Sequence, residues 1–152
     1  MQLVIIIVLL VILLMCFIRL HHVEKENIKY KGHNIYIKNT SYGGSYGRGV
    51  FASKDFDKDE IIEKAPYIED DNNKIQGTTR DYLFGKLNGK SVVAFGYASI
   101  YNHMDDPNAI WDVLDDYMEI KATRPIKKDE EIFVSYGDKY WKSRPYLPKL
   151  DN

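Results

Sequence analysis

The sequence predicts one small, mainly β domain preceded by a single N-terminal transmembrane helix. Two observations point to the β domain: short runs rich in Ile, Val and Tyr recur at close spacing, and 152 residues leave room for one core. A third points to the helix: 18 of the first twenty residues are apolar, whereas all twelve tyrosines lie beyond them.

The anchor comes first. Residues 3–18 form an unbroken apolar run. A bilayer core of about 30 Å takes about 20 helical residues, with about 17 as the short limit. No charged stretch precedes the run. Phe17-Ile18-Arg19-Leu20-His21-His22 after it offers only bulky or charged side chains, so a retained anchor over 1–20 is expected rather than a cleaved signal. Arg19, Lys25, Lys29 and Lys31 follow the run, which places the domain on the cytosolic face of a single-pass protein. Residues 21–33, polar and lysine-rich, read as a juxtamembrane linker.

Beyond the linker, Ile35-Tyr36-Ile37 predicts a strand and residues 41–49, with four glycines, a loop. Val50-Phe51-Ala52 resumes extended structure, and Ile61-Ile62-Glu63-Lys64 follows a Lys58-Asp59 turn. A helical turn or two is expected over 78–87, where Thr78 or Thr79 caps and Leu83, Phe84 and Leu87 share a face. Val92-Val93-Ala94-Phe95, Met118-Glu119-Ile120-Lys121-Ala122 and Ile132-Phe133-Val134-Ser135-Tyr136 complete the strands. An internal echo links Phe56-Asp57-Lys58-Asp59-Glu60-Ile61-Ile62 to Ile126-Lys127-Lys128-Asp129-Glu130-Glu131-Ile132; it reads as common hairpin punctuation.

Composition excludes some functions. Twenty-one basic against twenty-two acidic residues give a net charge of −1, so the global basic excess of a nucleic-acid coat is missing. One cysteine, Cys16 in the anchor, excludes a disulfide framework and a Cys-based zinc cluster. His103 stands without a second clustered histidine, so no metal site is expected.

Four motifs carry candidate chemistry, each with a plainer alternative. Gly47-Arg48-Gly49 lets backbone approach a ligand closely, or supplies a turn. Asn102-His103-Met104-Asp105-Asp106-Pro107-Asn108 leaves the apolar stretch Ala98-Ser99-Ile100-Tyr101, so its polar side chains need partners, a ligand or simply a loop. Tyr136-Gly137 and Tyr140-Trp141 make a core cluster, or an apolar slot with polar tips suited to an amine. Acidic clusters at Glu69-Asp70-Asp71, Asp105-Asp106 and Asp115-Asp116 are solvated loops, or the rim that attracts a basic polypeptide.

In this order and spacing the motifs resemble the SET-domain protein lysine methyltransferases over roughly residues 34–145. The carriers are Gly47-Arg48-Gly49-Val50-Phe51-Ala52, then Asn102-His103 through Pro107-Asn108, then Asp129-Glu130-Glu131-Ile132-Phe133-Val134-Ser135-Tyr136-Gly137. Within the family the chain is similar to the compact SET proteins of large DNA viruses, on Asp81-Tyr82-Leu83-Phe84, Ala98-Ser99-Ile100-Tyr101-Asn102-His103 and Tyr136-Gly137-Asp138-Lys139-Tyr140-Trp141-Lys142-Ser143-Arg144-Pro145. A viral source would make the membrane that of a host cell.

The resemblance implies a SET-domain (β-clip) fold over 34–141, with small sheets, knot-like C-terminal threading and a tail over 142–152. It implies S-adenosylmethionine held by Gly47, Arg48, Gly49, Asn102 and His103, with Trp141 on the adenine. Tyr136 becomes the catalytic tyrosine, and Tyr82, Val134 and Tyr140 line the substrate-lysine channel. The implied partner is a histone tail or another basic protein. The chain departs from the pattern at Met104, Val134 and Ser135, and it lacks a cysteine-rich module after the domain. The tail or the second subunit of a homodimer must then close the channel. The alternative is a SET fold without turnover that tethers a basic peptide.

Overall fold

The computed structural model describes residues 6–17, 33–40, 47–70, 74–86 and 89–145. Its strands form three small sheets. The first runs in the order β1 (Ile35–Asn39), β2 (Arg48–Ala52), β10 (Glu131–Val134) and β7 (Asn102–His103). The second runs β3 (Ile61–Ala65), β9 (Met118–Ala122) and β8 (Ala109–Val113). The third runs β4 (Tyr67–Asp70), β6 (Ser91–Ala94) and β5 (Leu83–Gly85). The named strands pair antiparallel, except that β10 runs parallel to β7.

Burial follows from position in the sheets. In β9, flanked on both sides, every second residue is buried, with Met118, Ile120 and Ala122 facing the core. All four residues of β10 are buried, as a strand enclosed by two neighbours and covered on both faces requires. Ile35, Val50, Phe56, Ile126 and Ile132 join them in one cluster.

The echoed segments are more than punctuation. Phe56 N–H donates to the Ile126 carbonyl at 2.8 Å and Ile126 N–H to the Phe56 carbonyl at 3.0 Å. Asp59 N–H reaches the Ala122 carbonyl at 2.9 Å, and in return Asp129 N–H reaches the Ala52 carbonyl at 2.8 Å. Asp59 and Asp129 share φ 67°. Segments 52–62 and 122–132 therefore clasp each other reciprocally, and each launches a strand, β3 from one and β10 from the other.

Other expectations are corrected. The helix expected over 78–87 is a 3₁₀ helix (Gly77–Tyr82) without a side-chain cap, because Leu83 and Phe84 pair instead with Val93 and Val92. The apolar stretch before Asn102 lies in turns over residues 96–100, and β7 is Asn102-His103 itself. Arg48 and Gly49 lie in β2, opposite Asn39 and Lys38, rather than in a loop. β10 stops at Val134, so Tyr136 stands beyond its end. Strands β4, β5 and β8 and helix α2 (Asp138–Lys142) had no clear signal in the sequence.

The N-terminal expectation also changes. Among the described residues no helix is long and apolar enough to cross a membrane. Helix α1 is described over residues 6–17, inside the expected anchor, and residues 1–5 lie outside the described residues. Residues 18–32, with nearly all of the expected linker, and 146–152 of the tail lie outside the described residues.

The left-handed backbone at Asp59 makes a direct prediction. Asp59→Gly should leave the urea midpoint nearly unchanged, whereas Asp59→Val, which a positive φ excludes sterically, should cost about 1–3 kcal/mol.

Candidate active site

The site is built where β10 passes between β2 and β7. Phe133 lies opposite Asn102, and Val134 opposite His103. Where the two-residue β7 ends, the side chain of Asn108, 2% exposed, takes over as a partner for the strand. Its Oδ1 accepts Phe133 N–H at 2.8 Å, and its Nδ2 donates to the Glu131 carbonyl at 2.8 Å. These bonds set the height at which the chain leaves β10 and delivers Tyr136.

Tyr136 is then held at two points. Its N–H donates to His103 Nδ1 at 3.1 Å, and its hydroxyl donates to the Tyr101 carbonyl at 2.7 Å. Because Nδ1 accepts, the His103 proton sits on Nε2, which faces Asp105 Oδ1 at 3.0 Å. Burial, then the neighbouring Tyr140 and Tyr82, push the Tyr136 phenol well above its ordinary range. Tyr136 is therefore a neutral hydroxyl at working pH.

On the other side, Asn102 Nδ2 donates to the Arg48 carbonyl at 2.9 Å and to Glu131 Oε1 at 2.8 Å, while Glu131 Oε2 accepts from Thr40. Gly49 makes this corner possible. A Cβ there would stand 2.1 Å from Glu131 Oε1 and 3.1 Å from Asn102 Nδ2. The sequence suggests that Asn102 reaches a ligand; here its amide protons tie the Gly47–Gly49 segment to β10.

Aromatic rings close the site. Tyr136 lies over Trp141 at 5.8 Å with an interplanar angle of 20°, and packs edge-on against Tyr140 at 4.8 Å. His103 packs edge-on against Trp141 at 5.0 Å. The Trp141 Nε1–H is buried without a hydrogen-bond acceptor among the described residues. A bound ligand can supply that acceptor. The corner at Gly49 itself is filled by the Glu131 and Asn102 side chains.

Arg144, 7% exposed, lies in the C-terminal segment that carries the resemblance, but no role was expected of it. Its Nε pairs with Asp81 Oδ1 at 3.0 Å, its Nη2 donates to the Arg80 carbonyl, and its guanidinium lies 4.2 Å from the Tyr140 ring centre. It thus joins the end of α2 to the 3₁₀ helix that carries Tyr82. An Asp–Arg pair so far apart in sequence has no local pattern to reveal it. Asn108 was visible within its motif, but not its role as a strand partner.

Of the residues expected at the site, Gly49, Arg48, Asn102, His103, Tyr136, Tyr140 and Trp141 form one connected set. Gly47 joins through its carbonyl, which accepts Thr40 N–H at 3.2 Å. Tyr82, 47% exposed, stands at the rim near Tyr136. Val134 is 1% exposed in the core cluster rather than on an open wall. A groove of about 380 Å³ opens beside Tyr136, between Ser135 and Gly137 on one side and Pro107, Ile110 and Trp111 on the other. Among the described residues no group of three His, Cys, Asp or Glu is placed to hold a metal ion.

A strand threaded beside an Asn-His step, with a half-buried tyrosine at its exit, defines a β-rich domain organised around one parallel strand pair. The SET domain family profile matches residues 47–137, and the chain belongs to that family. A histone-lysine N-methyltransferase of Schizosaccharomyces pombe, specific for histone H3 lysine-37, is 32% identical over 102 residues, covering 62% of this chain and 69% of that protein. The crystal structure of a Plasmodium falciparum candidate histone methyltransferase superimposes with a TM-score of 0.62 at 36% identity, covering 72% of this chain and 97% of that one.

The Gly49 corner yields the prediction here. Gly49→Ala must push the Glu131 carboxylate off Asn102 and Thr40, and should cost about 1–3 kcal/mol in denaturant unfolding.

Proposed function

We propose that the protein is an S-adenosylmethionine-dependent protein-lysine N-methyltransferase. The observation that carries this reading is the Tyr136 hydroxyl, fixed on the Tyr101 carbonyl and flanked by Tyr82, Tyr140 and Trp141. In this reading Gly47, Gly49, the Arg48 backbone, Asn102 and His103 border the cofactor side, and the unsatisfied Trp141 Nε1–H supports Trp141 as the residue that meets the adenine. Bound there, the cofactor supplies a sulfonium methyl group for in-line transfer to a neutral lysine amine.

The remaining work falls to this chain. Free lysine titrates near about 10.4, and an apolar slot of tyrosine rings disfavours its ammonium form. With its proton on the Tyr101 carbonyl, Tyr136 keeps oxygen lone pairs for the amine and for weak C–H contacts with the methyl group. Positioning supplies most of the rate. The groove along Ile110 and Trp111 suits an extended peptide, and the acidic residues Asp105, Asp106, Asp115 and Asp116 favour a basic one, such as a histone tail. The H3 specificity of the fission-yeast relative supports that substrate class.

Two further readings complete the proposal. The apolar run over 3–18 supports membrane attachment with the domain on the cytosolic side. The Tyr-Gly-Asp-Lys-Tyr-Trp segment at 136–141 supports kinship with the compact SET proteins of large DNA viruses.

Radiolabelled methyl transfer to a lysine-peptide library tests the activity. Tyr136→Phe should lower transfer at least about a hundredfold while calorimetry shows the cofactor still binding. Wild-type turnover by that variant would remove Tyr136 from the mechanism, and a chain that binds peptide but never transfers methyl would be a tethering module.

A further inference from the structure

Glu63 is 4% exposed, and among the described residues no cation pairs with it. Its partners are Tyr97 N–H, 2.9 Å from Oε1, and the Tyr101 hydroxyl, 3.0 Å from Oε2. Two local departures from regular structure bring it there. A register shift between Ile61 and Glu63 turns the adjacent residues Ile62 and Glu63 both inward. Gly96 takes φ +74°, and a Cβ on it would lie 2.7 Å from Glu63 Oε1. Tyr101, which reaches back to the carboxylate, is 2% exposed. Burying a carboxylate without a cation is expensive, so a core residue of this kind calls for a reason.

The reason lies on the other face of Tyr101. The same residue whose hydroxyl binds Glu63 presents its backbone carbonyl to the Tyr136 hydroxyl at 2.7 Å. We propose that Glu63 is a positioning residue for Tyr136: by holding the Tyr101 ring and the turn at Tyr97, its carboxylate fixes the carbonyl on which the Tyr136 hydroxyl rests. This inference rests on the methyltransferase reading of the site.

The ionised group accepts both hydrogen bonds. A protonated one turns a donor toward the Tyr101 hydroxyl and loses an acceptor. The Tyr101 phenol faces Glu63, whereas Tyr97 meets it with its backbone N–H and carries its own phenol near that of Tyr101, with the His33 ring 5.4 Å from the Tyr97 ring; β9 opposes Glu63 with Ile120. Burial pushes the carboxyl up to about 7, while the bonds from Tyr97 and Tyr101 pull the other way. Positioning therefore improves as pH rises through that value. Stability moves oppositely: the folded group holds its proton more firmly than the unfolded one, so its stabilising contribution is lost as pH rises toward about 7.

The test compares the full chain with Glu63→Gln, Tyr101→Phe and the double variant, from about pH 6 to about pH 9, on a methylatable lysine peptide. Gln mimics the protonated state. The wild-type to Glu63→Gln ratio of kcat should be near one at the acid end and rise to about tenfold at the alkaline end, with KM unchanged. Tyr101→Phe should match Glu63→Gln, and the double variant should be no worse than either. A flat ratio or additive losses would overturn the inference, because a merely structural carboxylate changes the melting temperature but not this profile. With 13C-labelled tyrosine, the Tyr136 Cζ resonance should titrate near pH 7 in wild type and not in Glu63→Gln. No titration in wild type overturns the inference whether or not the protein turns over. Titration without any methyl transfer overturns the enzymatic reading instead.

Discussion

A strand buried on both faces must find a partner for every backbone N–H and C=O, and in this domain that strand is β10. β2 meets it on one edge. On the other, β7 supplies only two residues, and Asn108 completes the ladder with a side-chain amide that offers the same donor and acceptor as a peptide group. The clasp between segments 52–62 and 122–132 sets where β10 starts, and the ladder sets where it stops. Tyr136 is placed by subtraction: it is the second residue past the last one held.

The site follows from this arrangement with few extra devices. Residues 101–103 meet Tyr136 with a carbonyl and an imidazole, and the same stretch turns an amide toward Arg48 and Glu131. One short segment therefore joins the glycine corner to the phenol. Arg144 performs the equivalent task from outside, pinning the aromatic helix to the segment that bears Tyr82. A buried guanidinium with several acceptors suits that role, because its planar fork keeps its geometry without a metal.

Much of this was legible in the residues. Alternation in Met118–Ala122 marked β9 directly, and the ordered motifs around Gly49, Asn102 and Tyr136 marked the site. Strand β8 escaped notice because Ala109–Val113 mixes exposed and buried residues without a clean period, and β5 because three residues carry too little pattern. Val134 was placed on the channel by the resemblance alone, because periodicity is silent in a strand whose four residues are all buried. The reciprocal clasp was visible as a repeat, yet a repeat does not state what it binds; only the pairing of Phe56 with Ile126 does. Glu63 looked like an ordinary strand residue, since no local signal distinguishes a bulge that turns a carboxylate inward.

The clasp also bears on how the polypeptide is made. Backbone groups near Ala52 wait for Glu130 and Asp129, which leave the ribosome much later, so the first half cannot finish folding alone during synthesis. Until then one edge of β2 is an open template for other nascent chains. Translation that stops before β10 yields a sticky remnant with no Tyr136, and quality control should meet truncated forms as aggregates rather than as partly active enzyme.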